Sequence, residues 1–218
     1  MVFKKSKHLT KMKPNRGKFI TFEGGEGAGK TTLIESLAKK FAEQEISVII
    51  TREPGGTKLG EHVRNILLSH SDDTTLSPYA ELALFLASRA QHIQEVIKPA
   101  IEKGKVVLCD RFNDSSIAYQ GLARGLGMEK VAQACSFFSS NLEPDLTFFL
   151  DIDPKVGLSR NSEGFDRIES EEIAFHNLIR DGYLKLAEEN PARIHVINAE
   201  LPPAKVYDLA FESVSSLI

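Results

Sequence analysis

The chain has 218 residues, 42% hydrophobic and 26% charged, which suits one soluble domain with a substantial core and no need of covalent staples. The formal net charge is −3; no apolar run approaches the ~18 residues of a membrane helix, and the opening "MVFKKSKHLTKMKPNRGK" lacks the apolar middle of a secretory signal. Residues 1–18 carry seven Lys or Arg and no acid, leaving 20 basic against 30 acidic residues, which argues against a nucleic-acid-binding body.

A basic, flexible arm over 1–17 and a single domain over 18–218 are therefore expected, with no membrane and no nucleic-acid partner. Only two cysteines occur, Cys109 and Cys135, and Cys109 closes the apolar run "KVVLC" like a small buried hydrophobe. A reduced, cytoplasmic protein is the simplest reading. The six histidines show no metal-ligand spacing.

The first strand is predicted in "KFITFE" (18–23), and "GGEGAGKTT" (24–32) follows it. Gly24, four residues, then Gly29-Lys30-Thr31 complete the G-x-x-x-x-G-K-[ST] pattern between a strand and a helix. Its backbone N–H groups approach phosphate where no Cβ intervenes, so Gly24, Gly25, Glu26, Gly27, Ala28, Gly29, Lys30, Thr31 and Thr32 are the candidate nucleoside triphosphate site. Lys30 would bridge the outer phosphates and Thr31 would ligate Mg²⁺. Glu26 is anomalous there, a carboxylate beside a polyphosphate.

The helical pattern "LIESLAKKFAEQ" leads to a second strand, "ISVIIT", and the loop "TREPGGT" (51–57) with Arg52 and Glu53. Arg64 lies a short helical stretch later. "SPYAELALFLASRAQH" opens a helix with Ser77 as N-cap and Pro78 in the first turn, and sets Phe85 and Arg89 four apart on one face. The third strand, "KVVLCD", ends in Asp110, placed like an acid that holds Mg²⁺ directly or through water. "DRFNDSSIAYQG" (110–121) then supplies Arg111, Ser115, Ser116, Tyr119 and Gln120. An aromatic with an arginine one turn away suits a planar base, and further arginines suit a monophosphate.

"DLTFFLDI" and "RIHVIN" complete five apolar runs separated by helical patterns such as "IAFHNLIRDGYLKLAEE". The runs do not alternate, as in strands buried on both faces, so an α/β fold is predicted: a doubly wound, five-stranded parallel sheet with helices on both faces. Ligands then bind beyond the carboxyl ends of the strands, where these motifs fall. His176 and Tyr183 read as packing residues. A GTPase is excluded: no Asn-Lys pair and no Asp-x-x-Gly occurs. A small chain with one phosphate loop and extra arginines points to a kinase for a small acceptor. A kinase for another nucleotide or deoxynucleoside, and a nucleotide-binding regulatory module without turnover, are the alternatives.

The strings "TREPGGT", "DRFNDSSIAYQG" and "PDLTFFLDIDPKVGLSR" resemble the thymidylate kinase family from about Lys18 onward. The resemblance implies a P-loop kinase transferring the γ-phosphoryl of ATP to dTMP with Mg²⁺, in a homodimer. It implies that Arg64 and Arg111 hold the dTMP phosphate, that Phe85 stacks on thymine, and that Arg89 and Gln120 read its polar edge with Ser116. Ser115 belongs to the same stretch. Tyr119 would crowd the sugar 2′ position, Glu53 would sit in the acceptor-side loop, and Glu26 would bond the 3′-hydroxyl. Asn198-Ala199 falls where related kinases contact adenine. "VGLSRNSEGFDRIESEE" resembles the family's lid, here about 157–169, whose Arg160 and Arg167 are candidates to contact the transferred phosphoryl.

Overall fold

The structure, a computed structural model, describes residues 16–69, 76–160 and 166–218. Nearly all of the basic arm and residues 161–165 of the lid stretch lie outside the described residues.

Five strands form one all-parallel sheet: β1 (Phe19–Glu23), β2 (Val48–Arg52), β3 (Val106–Asp110), β4 (Leu146–Asp151) and β5 (Ile194–Asn198), in the order β2-β3-β1-β4-β5. Parallel neighbours need crossover connections, and helices supply them. Helix α1 (Lys30–Glu43) follows β1. Helices α2 (Lys58–Leu68) and α3 (Pro78–His92) follow β2, and α3 continues through a π-helical turn, Ile93–Ile97, into α4 (Lys98–Glu102). After β3 comes α5 (Asn113–Ser116), which widens into a π-helical segment, Ile117–Ala123, and then α6 (Met128–Phe138). Helices α7 (Pro154–Ser159) and α8 (Ile173–Glu189) join β4 to β5, and α9 (Pro203–Ser215) closes the chain.

Strand periodicity divides the core between the two faces. Ile20 and Phe22 of β1 share one cluster with Leu108, Phe148 and the apolar sides of α1 and α9, including Leu37 and Ala210. Phe19 packs on the opposite face with Val107, Cys109 and Phe112. Farther along that face, Phe149 packs with Ile179 and Tyr183 of α8. The doubly wound fold is thus as expected. One expectation needs correction: burial on both faces holds for β1, β3 and β4, whereas β2 and β5 are edge strands. Ile50 is 54% exposed and Val196 47%.

The start of α3 is as the sequence indicates: Ser77 caps it by accepting from the Ala80 amide at 3.2 Å, with Pro78 in the first turn. The structure adds a second cap, Thr57 on α2, which accepts from the Gly60 amide at 2.9 Å. Each such cap contributes about 1 kcal/mol. Register brings the site together: Phe22 lies opposite Asp110, so the end of the central strand meets the end of β3.

Candidate active site

The loop after β1 is shaped by glycines at two points. Gly24 has φ 144°, and a Cβ there would lie 2.7 Å from the Leu150 carbonyl oxygen. Gly27 has φ 67°, and its Cβ would fall 2.1 Å from the Gly157 oxygen of α7, so only glycine allows the loop to rest on that helix. Gly29 then starts α1 with no side chain capping the first N–H groups. Free N–H groups and the positive end of the helix dipole make an anion site. Lys30 is buried, and its Nζ donates to the carbonyls of Gly24 at 3.2 Å and Gly25 at 3.0 Å, which places the ammonium inside the loop.

Gly27, Ala28, Gly29 and Thr32 form the wall between two clefts. The donor-side cleft, about 750 Å³, is also lined by Lys39, Arg160, Ala199 and Tyr207. Arg160 Nη1 donates to the Gly27 carbonyl at 3.1 Å, so this arginine lies against the phosphate loop. Ala199 lines this cleft, and the Asn198 side chain accepts from the Glu200 amide.

The acceptor-side cleft, about 380 Å³, gathers Glu26, Glu53, Arg64, Phe85, Arg111, Ser115, Ser116, Tyr119 and Gln120 together with Thr31 and Asp110. These come from five separate segments, and all were candidates from sequence. Arg111 is their centre. Its Nη2 donates to Glu26, its Nη1 to the Gly24 carbonyl at 2.9 Å, and its guanidinium lies 5.2 Å from the centre of the Tyr119 ring. Burial by itself would raise the Glu26 pKa. The positive charges of Arg111 and Lys30 override it and hold the carboxyl near 2, so Glu26 is an ionised acceptor at neutral pH. Arg64 Nη1 donates to the Pro54 carbonyl at 3.1 Å, just after a cis Glu53–Pro54 bond.

Three sequence readings change in three dimensions. Arg89 does not line the cleft: it is 1% exposed and lies beneath it, with Nε to Glu53 at 2.6 Å, Nη1 to Ser116 at 3.0 Å and Nη2 to the Phe112 carbonyl at 2.9 Å. The spacing with Phe85 set its helix face but not its depth. Glu53 is also bonded to His92 Nδ1 at 2.9 Å, so its carboxylate serves this buried network. Arg167 is turned away from the phosphate loop and donates to the Leu67 carbonyl at 2.8 Å and to Glu81 at 2.6 Å. Tyr183 does pack, stacked on Phe149 at 4.9 Å, but its hydroxyl also bonds Ser115 at 2.8 Å and Glu23 at 3.0 Å.

Glu23 and Glu81 are the residues that sequence reasoning missed. Glu23 is fully buried and accepts from Ser115 Oγ, the Phe112 amide and Tyr183. Burial, then the negative charge of Asp114, pushes its carboxyl up to about 7. A signal was present, since Glu23 closes β1 as Asp110 closes β3. Glu81 stands one turn before Phe85 in the same ladder, spaced by four, that ends at Arg89.

The donor set fits Mg²⁺. Asp110 Oδ1 is buried with no hydrogen-bond partner among the described residues, and Thr31 lines the same cleft. An unpartnered carboxylate oxygen beside a phosphate loop suits a cation or its bound water. Among the described residues no group of three or more His, Cys, Asp or Glu could hold a metal. Mg²⁺ in nucleotide sites takes most of its ligands from water and phosphate oxygens.

The comparisons agree with this geometry. The thymidylate kinase family profile matches residues 22–209. The chain is 49% identical over 206 residues to a thymidylate kinase of Protochlamydia amoebophila, covering 90% of this chain and 92% of that one. It is 47% identical over 204 residues to one of Chlamydia trachomatis, covering 92% of this chain and 100% of that one. The crystal structure of thymidylate kinase from Ehrlichia chaffeensis superposes with a TM-score of 0.74 at 35% identity, covering 91% of this chain and 99% of that one. A phosphate loop facing an arginine-lined acceptor cleft, on a sheet of this topology, and similarity along nine-tenths of the chain lead to one assignment: the chain belongs to the thymidylate kinase family.

Proposed function

We infer that this protein transfers the γ-phosphoryl of ATP to dTMP, giving dTDP and ADP. The observation that carries the reading is the single loop that forms the wall of both clefts, with Arg111 and Glu26 joined at its acceptor side. A nucleoside monophosphate in the acceptor cleft would present its phosphate to Arg111 and Arg64, and its base to Phe85, Ser116 and Gln120. Glu26, ionised, is suited to accept a hydrogen bond from the sugar 3′-hydroxyl.

A dTMP phosphate oxygen forms the new bond to the γ-phosphorus, the bond from that phosphorus to the β–γ bridging oxygen breaks, and its electron pair leaves on ADP. The nucleophile is already an oxyanion, so no general base is required. The chain's part is positioning and charge neutralisation. Lys30 and the N–H groups at the start of α1 hold the donor phosphates, Arg111 draws the acceptor phosphate toward them, and Arg160 adds positive charge from the donor side. Mg²⁺, held by Thr31 and Asp110, would neutralise charge on the β- and γ-phosphates. Tyr119, buried beside Glu26, narrows the space at the sugar and favours the deoxy form.

A homodimer in the cytoplasm belongs to the same reading. The dimer is supported by large apolar side chains left exposed on α2, α3 and α6, namely Leu59, Ile66, Tyr79, Phe137 and Phe138. Among the described residues no helix is long and apolar enough to cross a membrane.

The test is coupled turnover with ATP and Mg²⁺ on dTMP, dUMP, dCMP, UMP and thymidine. Rapid turnover of dTMP and slower turnover of dUMP is the expected result, since one methyl group is worth only ~10–200-fold. Preference for another acceptor would overturn the pocket assignment, and tight dTMP binding without dTDP would overturn the enzymatic reading.

A further inference from the structure

Glu81 is a carboxylate 1% exposed on α3, outside the machinery assigned above, and three side chains converge on it. Gln120 Nε2 donates to its Oε1 at 2.8 Å. Arg124 donates to both oxygens at 3.3 Å, and Arg167 Nη2 to Oε2 at 2.6 Å. Arg124 also bonds Glu171 and lies 4.4 Å from the centre of the Phe175 ring, so it is itself held in place. Burial would raise the Glu81 pKa, but the hydrogen bonds from Gln120 and Arg167 and the charge of Arg124 hold it below the usual range. The carboxylate is ionised and can only accept.

That settles which way the Gln120 amide faces. A carboxylate without a proton takes the amide NH₂ and not the carbonyl. Gln120 lines the acceptor cleft; with its NH₂ held by Glu81, the end left to meet a base there is its carbonyl oxygen. The N3 position of thymine carries a proton and donates, whereas N3 of cytosine is an unprotonated acceptor. A fixed carbonyl therefore matches the first and opposes the second. An amide free to rotate would serve both, because its two ends differ only in donor and acceptor.

We propose that Glu81 is the positioning residue that sets acceptor specificity, by locking the Gln120 amide with its carbonyl toward N3 of the base. The proposal rests on the reading that Gln120 faces the base of the acceptor. Arg124 and Arg167 are part of the lock. They neutralise the buried carboxylate, and both bond Oε2, the oxygen that Gln120 leaves free.

The test is Glu81→Gln, which keeps the volume but leaves one carbonyl for which two arginines compete. The new amide then turns its NH₂ to Gln120, which must rotate and offer NH₂ to the cleft. The ratio of kcat/KM for dTMP over dCMP is expected to fall at least ~10-fold, mainly through KM, with dTMP binding more weakly and dCMP more tightly. Gln120→Leu, measured alongside, separates the two layers of the argument. A ratio lowered by Gln120→Leu but unchanged by Glu81→Gln overturns the role of Glu81 and leaves the base reading intact. A ratio unchanged by Gln120→Leu overturns the base reading and the proposal with it. Should Glu81→Gln fail to fold, NMR of the unsubstituted protein decides. On adding dTMP, the Gln120 side-chain carbonyl ¹³C signal should shift while its NH₂ protons stay protected from exchange; the reverse pattern overturns the proposal.

Discussion

Arg111 and Glu26 stand 85 positions apart in the chain and are joined by a hydrogen bond from the guanidinium to the carboxylate. This contact couples the donor loop to the acceptor clamp. Arg111 has a left-handed backbone conformation, with φ 68°, and its amide donates to the Phe22 carbonyl at 2.9 Å. A non-glycine residue in that region is strained, and such strain is maintained where the surroundings over-determine it. The carboxylate beside the phosphate loop thus orients the arginine that would hold the acceptor.

Glu26→Gln should lower kcat/KM for dTMP by roughly 10–100-fold, the equivalent of one charge-assisted hydrogen bond of about 1.5–3 kcal/mol. The informative comparison is with a dTMP analogue lacking the 3′-hydroxyl. If Glu26 bonds that hydroxyl, the loss from the substitution and the loss from the analogue should overlap and not add. Fully additive losses would assign Glu26 to Arg111 alone.

Asp110→Asn should separate stability from function. Asp110 Oδ1 is buried without a partner among the described residues, which costs folding free energy. Removing the charge should leave the melting temperature unchanged or raise it, as at other sites where activity is kept at the expense of stability. The Mg²⁺ concentration for half-maximal rate should rise and kcat should fall, with dTMP affinity little altered. A lower melting temperature with an unchanged Mg²⁺ requirement would show that Asp110 is structural.

Arg89→Ala should act first on stability. The ion pair with Glu53 at 2.6 Å is almost wholly buried, so truncation leaves a carboxylate beneath the site without its main partner. Such truncations cost about 3–5 kcal/mol. Urea unfolding of Arg89→Ala against Arg89→Met would show similar losses if the charge matters more than the packing. A loss under about 1 kcal/mol in both would mean that the buried pair has little net value.

What could be read in the sequence divides along a physical line. The five strands, the phosphate loop and the cap at Ser77 depend on residues within one or two turns of each other, and spacing reports such local chemistry. Gly24 to Thr32 needed only a strand before and a helix after. Glu23, Glu81 and the orientation of Arg89 depend on where segments 23 to 160 positions apart converge, as in Arg89 with Phe112, Glu81 with Gln120 or Glu23 with Tyr183. Periodicity shows that Glu81, Phe85 and Arg89 share a helix face. It does not show that Phe85 ends at the cleft while Arg89 ends beneath it. Arg167 illustrates the same limit: its nearest acids in sequence, Asp166 and Glu169, are not its partners, and Glu81 is.

Glu23 supplies a pH-dependent contribution to stability whose sign follows from its surroundings. Burial, then the charge of Asp114, raises its pKa to about 7; Ser115, Arg111 and the Phe112 amide only partly oppose them. An unfolded glutamate titrates near 4.5. Below that value both states hold the proton and the favourable contribution is fully present. Between 4.5 and 7 the folded state keeps a proton that the unfolded chain has released, so stability falls as pH rises, by about 3 kcal/mol across the window. Glu26 acts in the opposite sense at lower pH: its contribution is present above 4.5 and is lost as pH falls toward 2. Glu23→Gln imitates the protonated group, so its unfolding free energy should stay level from pH 5 to 8 while that of the unsubstituted protein declines, and the two should converge near pH 4.5. Parallel declines would place the titrating group elsewhere. If the level profile is found, deprotonation of Glu23 also predicts a weaker acceptor clamp above pH 7, because the new charge beneath Arg111 competes with the substrate phosphate; KM for dTMP should then rise with pH in the unsubstituted enzyme and not in the variant.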